Sequence, residues 1–178
     1  MKEVRILDKT FKELITGEAI QKRVDELAAA INNDLGEKDV LFLGILNGAF
    51  LFAADLFKRI EFPARISFVK LASYAGTKSS GSIKELIGWN EDITGKTVVV
   101  VEDIVDTGTT LERIMTELVM YKAAEIKIVT ALFKSGVYKG KTVIDYVGFE
   151  IPDDFVVGYG LDYDGYGRNL PSVYILTL

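Results

Sequence analysis

Residues Thr97 to Leu111, TVVVVEDIVDTGTTL, constrain this chain more than any other stretch. The four valines Val98 to Val101 form a β-branched run with no polar face, which fits a strand covered on both sides, as in the middle of a parallel sheet. Glu102, Asp103 and Asp106 follow at once, where such a strand ends; in open α/β sheets that edge is where ligands bind. Thr107, Gly108, Thr109 and Thr110 come next, just before the helical spacing of Leu111, Ile114 and Leu118. They bring backbone N–H groups, three hydroxyls and one residue free to take positive φ.

A helix N-terminus carries partial positive charge and unpaired N–H donors, so this turn is a cradle for a phosphate that needs no Lys or Arg. The acidic pair cannot serve the same anion. Carboxylates accept hydrogen bonds, so Glu102 and Asp103 suit hydroxyl donors such as a ribose diol, or a magnesium ion held through water. Together the two halves describe a sugar phosphate. The same letters also fit an acidic strand end and an ordinary helix cap, as in response-regulator domains, and spacing does not separate the two.

At 178 residues the chain has the length of one domain, and its 49% hydrophobic and 26% charged residues are globular proportions. A net charge of −5 disfavours a nucleic-acid surface, which needs clustered Lys and Arg. Without Cys there is no thiol nucleophile, disulfide or thiolate metal site, and nothing speaks for secretion. The N-terminus lacks the apolar core of a signal peptide and no stretch approaches a membrane span, so the expectation is a cytoplasmic protein without a membrane partner. His is absent, which leaves Asp, Glu, Lys, Tyr or a positioned water for acid–base work.

Taken in order, Val4 to Leu7 reads as a short strand. Gly17 opens a helix whose apolar positions are Ile20, Val24, Leu27, Ala28, Ile31 and Leu35, with Gly36 expected to end it as a C′ residue. Val40 to Leu46 is a second buried strand. Asn47 and Gly48 turn into a helix expected over Ala49 to Ile60, with Phe50, Ala53, Ala54 and Phe57 on its inner side. Two strand–turn–helix units on one edge give two anion sites, as a diphosphorylated sugar needs, although Asn47-Gly48 alone also reads as a plain turn. Arg65 to Leu71 alternates as a third strand, and the polar segment ASYAGTKSSGSIKE after it is either a lid or a hairpin tip. Glu125 to Phe133 is a further strand, ending at Lys134. The last third holds short strands at Tyr146 to Phe149, Phe155 to Tyr159 and Val173 to Leu178, which suggest a small hood over the sheet edge.

The stretch VVVVEDIVDTGTT resembles the phosphoribosyl-pyrophosphate signature of type I phosphoribosyltransferases, and its surroundings resemble the hypoxanthine-guanine branch. LNG at Leu46, SYAG at Ser73, LFK at Leu132, DDFVVGYGLDY at Asp153 and Arg168 match in family order across nearly the whole chain. The resemblance implies an α/β fold: a mostly parallel central sheet flanked by helices on both faces, with a β-rich hood and a flexible lid. In this chain the core would span about 17–140, the hood about 1–10 with 145–178, and the lid about 72–86.

It also implies a magnesium-dependent purine salvage enzyme that joins hypoxanthine or guanine to 5-phosphoribosyl 1-pyrophosphate. Thr107, Gly108, Thr109 and Thr110 would hold the 5-phosphate, and Glu102 with Asp103 the ribose hydroxyls. Leu46, Asn47, Gly48 and Arg168 would hold pyrophosphate, through a cis Leu46-Asn47 peptide, while Ser73 and Tyr74 close the lid; many relatives carry Lys at the Asn47 position. Lys134, Phe155, Val156 and Asp162 would hold the purine, Glu102, Asp103 and Asp162 the magnesium, and Asp106 would serve as general base. A homodimer or homotetramer is the expected assembly. A regulator of the same fold that senses the sugar pyrophosphate on nucleic acid would need a basic face. Adenine lacks the oxygen Lys134 would contact, whereas xanthine differs from guanine only at position 2.

Overall fold

Val98 to Val101 are each 0% exposed, and full burial of one such side chain favours folding by roughly 1.5–3 kcal/mol. In the computed structural model, which describes residues 2–70 and 91–177, they lie in the central strand of a five-stranded parallel sheet. The elements in chain order are β1 (Glu3–Ile6), β2 (Lys9–Ile15), α1 (Gly17–Leu35), β3 (Val40–Leu46), α2 (Phe50–Phe57), β4 (Ala64–Lys70), β5 (Thr97–Val105), α3 (Thr109–Met120), β6 (Glu125–Phe133), β7 (Tyr146–Glu150), β8 (Val156–Val157) and β9 (Val173–Leu176). The parallel sheet runs β4-β3-β5-β6-β7, and a second, antiparallel sheet runs β1-β2-β9-β8.

Alternation along β5 divides the core. Val99 and Val101 face the cluster built with α1 and α2, whereas Val98 and Val100 face the one built with Leu111, Ile114 and Leu118 of α3. Helices therefore cover both faces, as the buried-strand reading requires. In α1 the buried residues are Ile20, Val24, Leu27, Ala28, Ile31 and Leu35, and the Thr16 side chain caps its start by accepting from the Ala19 N–H at 3.2 Å.

Several expectations need correction. Gly36 caps α1 at φ −57° and is not a left-handed C′ residue. Helix α2 is shorter than expected and turned: Ala49, Phe52, Ala53 and Leu56 are buried, while Phe50 is 38% exposed. The segment FLFAADLF is apolar nearly all round, so its spacing does not select a face. Strand β7 lies beside β6 in the main sheet and not with the terminal strands. Strand β2 carried no sequence signal, because Phe11 alone among its residues is fully buried and the others alternate irregularly. Leu7, at φ +52°, turns β1 into it. The expected lid segment with Ser73 and Tyr74 lies outside the described residues. Among those described, no helix is long and apolar enough to cross a membrane.

A polar cluster fastens the turn after β8 to both helices of one face. Asp55 of α2 accepts from the Tyr159 hydroxyl at 2.9 Å, from the Gln21 amide at 2.8 Å and from Lys58 at 2.8 Å. Burial pushes the Asp55 carboxyl up, but these donors outweigh it and hold it below its ordinary value of 3.8. A depressed carboxyl contributes stability that is present above its unfolded value and is lost as pH falls through the folded one. Tyr159→Phe is therefore expected to cost about 1–2 kcal/mol at pH 7, read as a lower urea midpoint at unchanged m, and less below pH 3.8 once Asp55 is protonated.

Candidate active site

Strand β5 outlasts its neighbour on one side. Its pairing with β3 stops at Gly44–Val101, whereas its pairing with β6 continues to Val105–Phe133. Glu102 and Asp103 thus lie within the strand, ahead of Ile104 and Val105, and not beyond it, a correction to the expected boundary. On the open side β3 ends in a cis Leu46-Asn47 peptide that leads to Gly48 and α2. The departing backbone leaves a cavity of about 450 Å³ at the carboxyl edge of the sheet.

Leu46, Gly48, Glu102, Asp103, Asp106, Thr107, Gly108, Thr109, Thr110, Asp162 and Arg168 all line this cavity. Residues expected at four separate points in the sequence therefore meet in one place. Gly48 and Asp103 are in tight register: a Cβ at position 48 would fall 1.5 Å from the Asp103 carboxylate. Gly160 closes on the other side of the same turn, at φ +102°, where a Cβ would sit 2.0 Å from the Gly48 carbonyl oxygen. Only glycine permits that approach at both positions.

At the α3 end of the cavity, Gly108 is the N-cap at φ +89° and offers no side chain to the first N–H groups of the helix. Those donors stay open to an anion. Thr107, Thr109 and Thr110 are exposed around them, with the Thr107 and Thr109 hydroxyls 3.2 Å apart. Glu112, the one acidic residue of the first turn, is turned to the Thr142 and Lys141 N–H groups at 2.9 and 2.7 Å. Those two donors hold its carboxyl below its usual range.

Burial, and then the charge of Asp103, holds Glu102 well above the usual carboxylate range. Burial also pushes Asp103 up to about 6, against the Ile104 N–H at 2.9 Å and the charge of Arg168. Arg168 pairs with Asp162 at 2.5 Å and donates to the Gly160 carbonyl at 2.7 Å, and Asp162 also accepts from the Gly165 N–H. Glu102, Asp103 and Asp162 are hard oxygen donors on one cavity. Such a set fits a magnesium ion, which keeps several waters and takes one or two carboxylates beside substrate phosphates. Among the described residues no three His, Cys, Asp or Glu side chains converge closely enough to hold a metal ion by themselves, so substrate phosphates and water would have to complete its shell.

The other expected residues that the structure describes, Asn47, Lys134, Phe155 and Val156, are not among those that line the cavity. Lys134 is buried and lies 3.2 Å from Asp106 and 3.4 Å from Asp153. Phe155 is 46% exposed and rests on Phe11 and Tyr163 at ring distances of 6.3 and 6.0 Å, which leaves aromatic surface for another flat group. Val156 is buried opposite Ile175, and Asn47 is exposed on the turn. Sequence reasoning missed Arg113, Gly160 and Asp153. Arg113 lines the cavity one helical turn after Thr109, so i, i+4 spacing was the signal for it. Gly160 and Asp153 had none, because each matters through a partner far away in the chain.

The phosphoribosyl transferase domain model matches residues 11–164. The chain is 43% identical to the hypoxanthine-guanine phosphoribosyltransferase of Aquifex aeolicus over 178 residues, 99% of both proteins. It is 43% identical to that of Bacillus subtilis over 167 residues, 93% of this chain and 92% of the other. Among solved structures, the hypoxanthine phosphoribosyltransferase of Staphylococcus aureus superposes with a TM-score of 0.87 at 41% identity, covering 93% of this chain and 91% of that one.

The raised Asp103 carboxyl has a measurable signature without ligand. Its folded pKa, about 6, lies above its ordinary 3.8, so the folded state holds this proton more tightly and stability falls as pH rises between those values. Asp103→Asn cannot ionise and keeps the acceptor for the Ile104 N–H. The stability difference between parent and variant is expected to move in the variant's favour by up to about 3 kcal/mol from pH 4 to pH 7, by urea unfolding. A difference independent of pH would contradict the burial argument.

Proposed function

The chain belongs to the phosphoribosyl transferase family, and from that premise we propose that it transfers the 5-phosphoribosyl group of 5-phosphoribosyl 1-pyrophosphate to hypoxanthine or guanine. The products are IMP or GMP and pyrophosphate, and the role is purine salvage in the cytoplasm. One observation carries the reading: the carboxylates of β5, the open N-terminus of α3 and the Arg168–Asp162 pair line the same cavity.

Thr107 to Thr110 take the 5-phosphate on the N–H groups of α3 and on their hydroxyls. Glu102 and Asp103 accept from the ribose hydroxyls, which fixes the sugar with C1′ toward the middle of the cavity. Leu46, Asn47 and Gly48 offer backbone to the diphosphate, and Arg168 exchanges Asp162 for a phosphate oxygen. Glu102, Asp103 and Asp162 are the residues that would hold magnesium, which when bound offsets the charge of the diphosphate. Departure of pyrophosphate builds negative charge on its oxygens and positive charge at C1′, so donors already aimed at the former lower the barrier.

Phe155 stacks on the purine, and the backbone of Val156 and Asp162 reads its edge. Lys134 donates to the oxygen at position 6, which favours hypoxanthine and guanine over adenine. Asp106, on the turn between the ribose carboxylates and Lys134, accepts the N7 proton as the base attacks C1′. The strands at the two ends of the chain serve as the hood, and the assembly is a homodimer or homotetramer. A solved structure of Trypanosoma cruzi hypoxanthine phosphoribosyl transferase, 33% identical, concerns the role of its C-terminal region in oligomeric state and activity.

The test is pyrophosphate release by purified protein with magnesium, phosphoribosyl pyrophosphate and each of hypoxanthine, guanine, xanthine and adenine. Turnover is expected with the first two and is expected to fall at least ~10-fold in Asp106→Asn. Tight binding of the sugar pyrophosphate with no turnover on any base would overturn the reading in favour of a sensor.

A further inference from the structure

Three neighbouring strands of the parallel sheet end level with one another. Val105 of β5 pairs with Phe133 of β6, and Phe133 pairs with Glu150 of β7. The chain beyond each end carries one charge toward the same point: Asp106 after β5, Lys134 after β6 and Asp153 after β7. The central charge is the buried one. The Lys134 side chain is 10% exposed, against 47% for Asp106 and 60% for Asp153.

The Lys134 backbone is pinned. Its N–H donates to the Val105 carbonyl at 2.9 Å, and its carbonyl accepts from the Val137 and Tyr138 N–H groups at 3.2 Å. What remains adjustable is the position of the ammonium, which sits nearly midway between its carboxylates at 3.2 and 3.4 Å. An ammonium has three N–H donors and no acceptor. With one donor to Asp106 and one to Asp153, the third has a fixed direction and, among the described residues, no carboxylate to take it. Were Asp106 the only acceptor, the ammonium would be free to swing onto it and give that carboxylate a second donor. That would misdirect the third N–H and occupy the lone pairs a proton acceptor needs.

We infer that Asp153 is a positioning residue: it holds Lys134 off Asp106, so that one N–H of Lys134 stays aimed at the oxygen at position 6 of the purine while Asp106 keeps an oxygen for the base. This inference rests on the function proposed above. The attraction itself is small, because two exposed carboxylates facing a cation in water gain little stability. Its effect lies in direction, and so it falls on ligands that carry the oxygen and spares those that lack it. Asp154, one residue further on, is exposed and makes no ion pair among the described residues, so it is the matched control for loss of one charge.

The experiment is calorimetric binding of two nucleotides, IMP and purine riboside 5′-monophosphate, which differ in the oxygen at position 6. Asp153→Asn is expected to weaken IMP about 3- to 10-fold and to leave the other nucleotide within about 2-fold, the range set by one misdirected hydrogen bond. Asp153→Glu is expected to restore most of the loss, and Asp154→Asn to bind both like the parent. Equal weakening of both nucleotides by Asp153→Asn, or of neither, would overturn the inference and leave the transferase reading standing. A parent protein that binds neither nucleotide would instead remove the transferase reading, and this inference with it.

Discussion

Everything in this molecule leans on the burial of β5. Val98 to Val101 have no exposed surface and alternate between two cores, one with α1 and α2 and one with α3. A strand so covered cannot carry polar side chains along its length without a large desolvation cost. The polar residues are therefore confined to its end, and the end becomes the site. The buried carboxylates there are costly to the empty fold: burial holds Glu102 and Asp103 toward the protonated form, which a nearby cation or hydroxyl donors would offset.

Around that end, close backbone approach sets the geometry. Asp103, Gly48 and Gly160 come from three distant parts of the chain and stack with no room for a Cβ at either glycine. The turn after β3 is thereby held between the acidic strand end and the loop that carries Asp162 and Arg168. Tyr159, beside Gly160, reaches Asp55 of α2, so the outer loop is tied to the helix behind the turn. The cavity wall is thus braced from behind, which reduces the ordering that binding of a ligand there would otherwise require.

Much of this was legible beforehand. The α1 face read from spacing alone matches the buried residues one for one, because a single apolar stripe on a polar helix has one solution. The α3 face and the helix start after Gly108 were equally plain, since the chain writes strand, turn and helix in consecutive residues. Helix α2 failed the same test for the opposite reason: apolar all round, it leaves the choice of face to whatever it packs against. Strand β2 had one buried residue and no alternation to find. The placement of β7 in the main sheet depended on its pairing with β6, a long-range contact that five residues do not encode.

Local sequence thus determined most of the strands and helices, β2 excepted, which carboxylates stand at the carboxyl edge and where a glycine-capped helix leaves its first N–H groups open. Each of those follows from periodicity or from residues adjacent in the chain. Tertiary structure alone decided that Asp106, Lys134 and Asp153 form one charged line, that Gly160 closes on Gly48, and that Phe155 stands on Phe11 and Tyr163 with surface to spare. Those contacts join residues brought together only by strand order and register, and register is an outcome of packing the whole core at once.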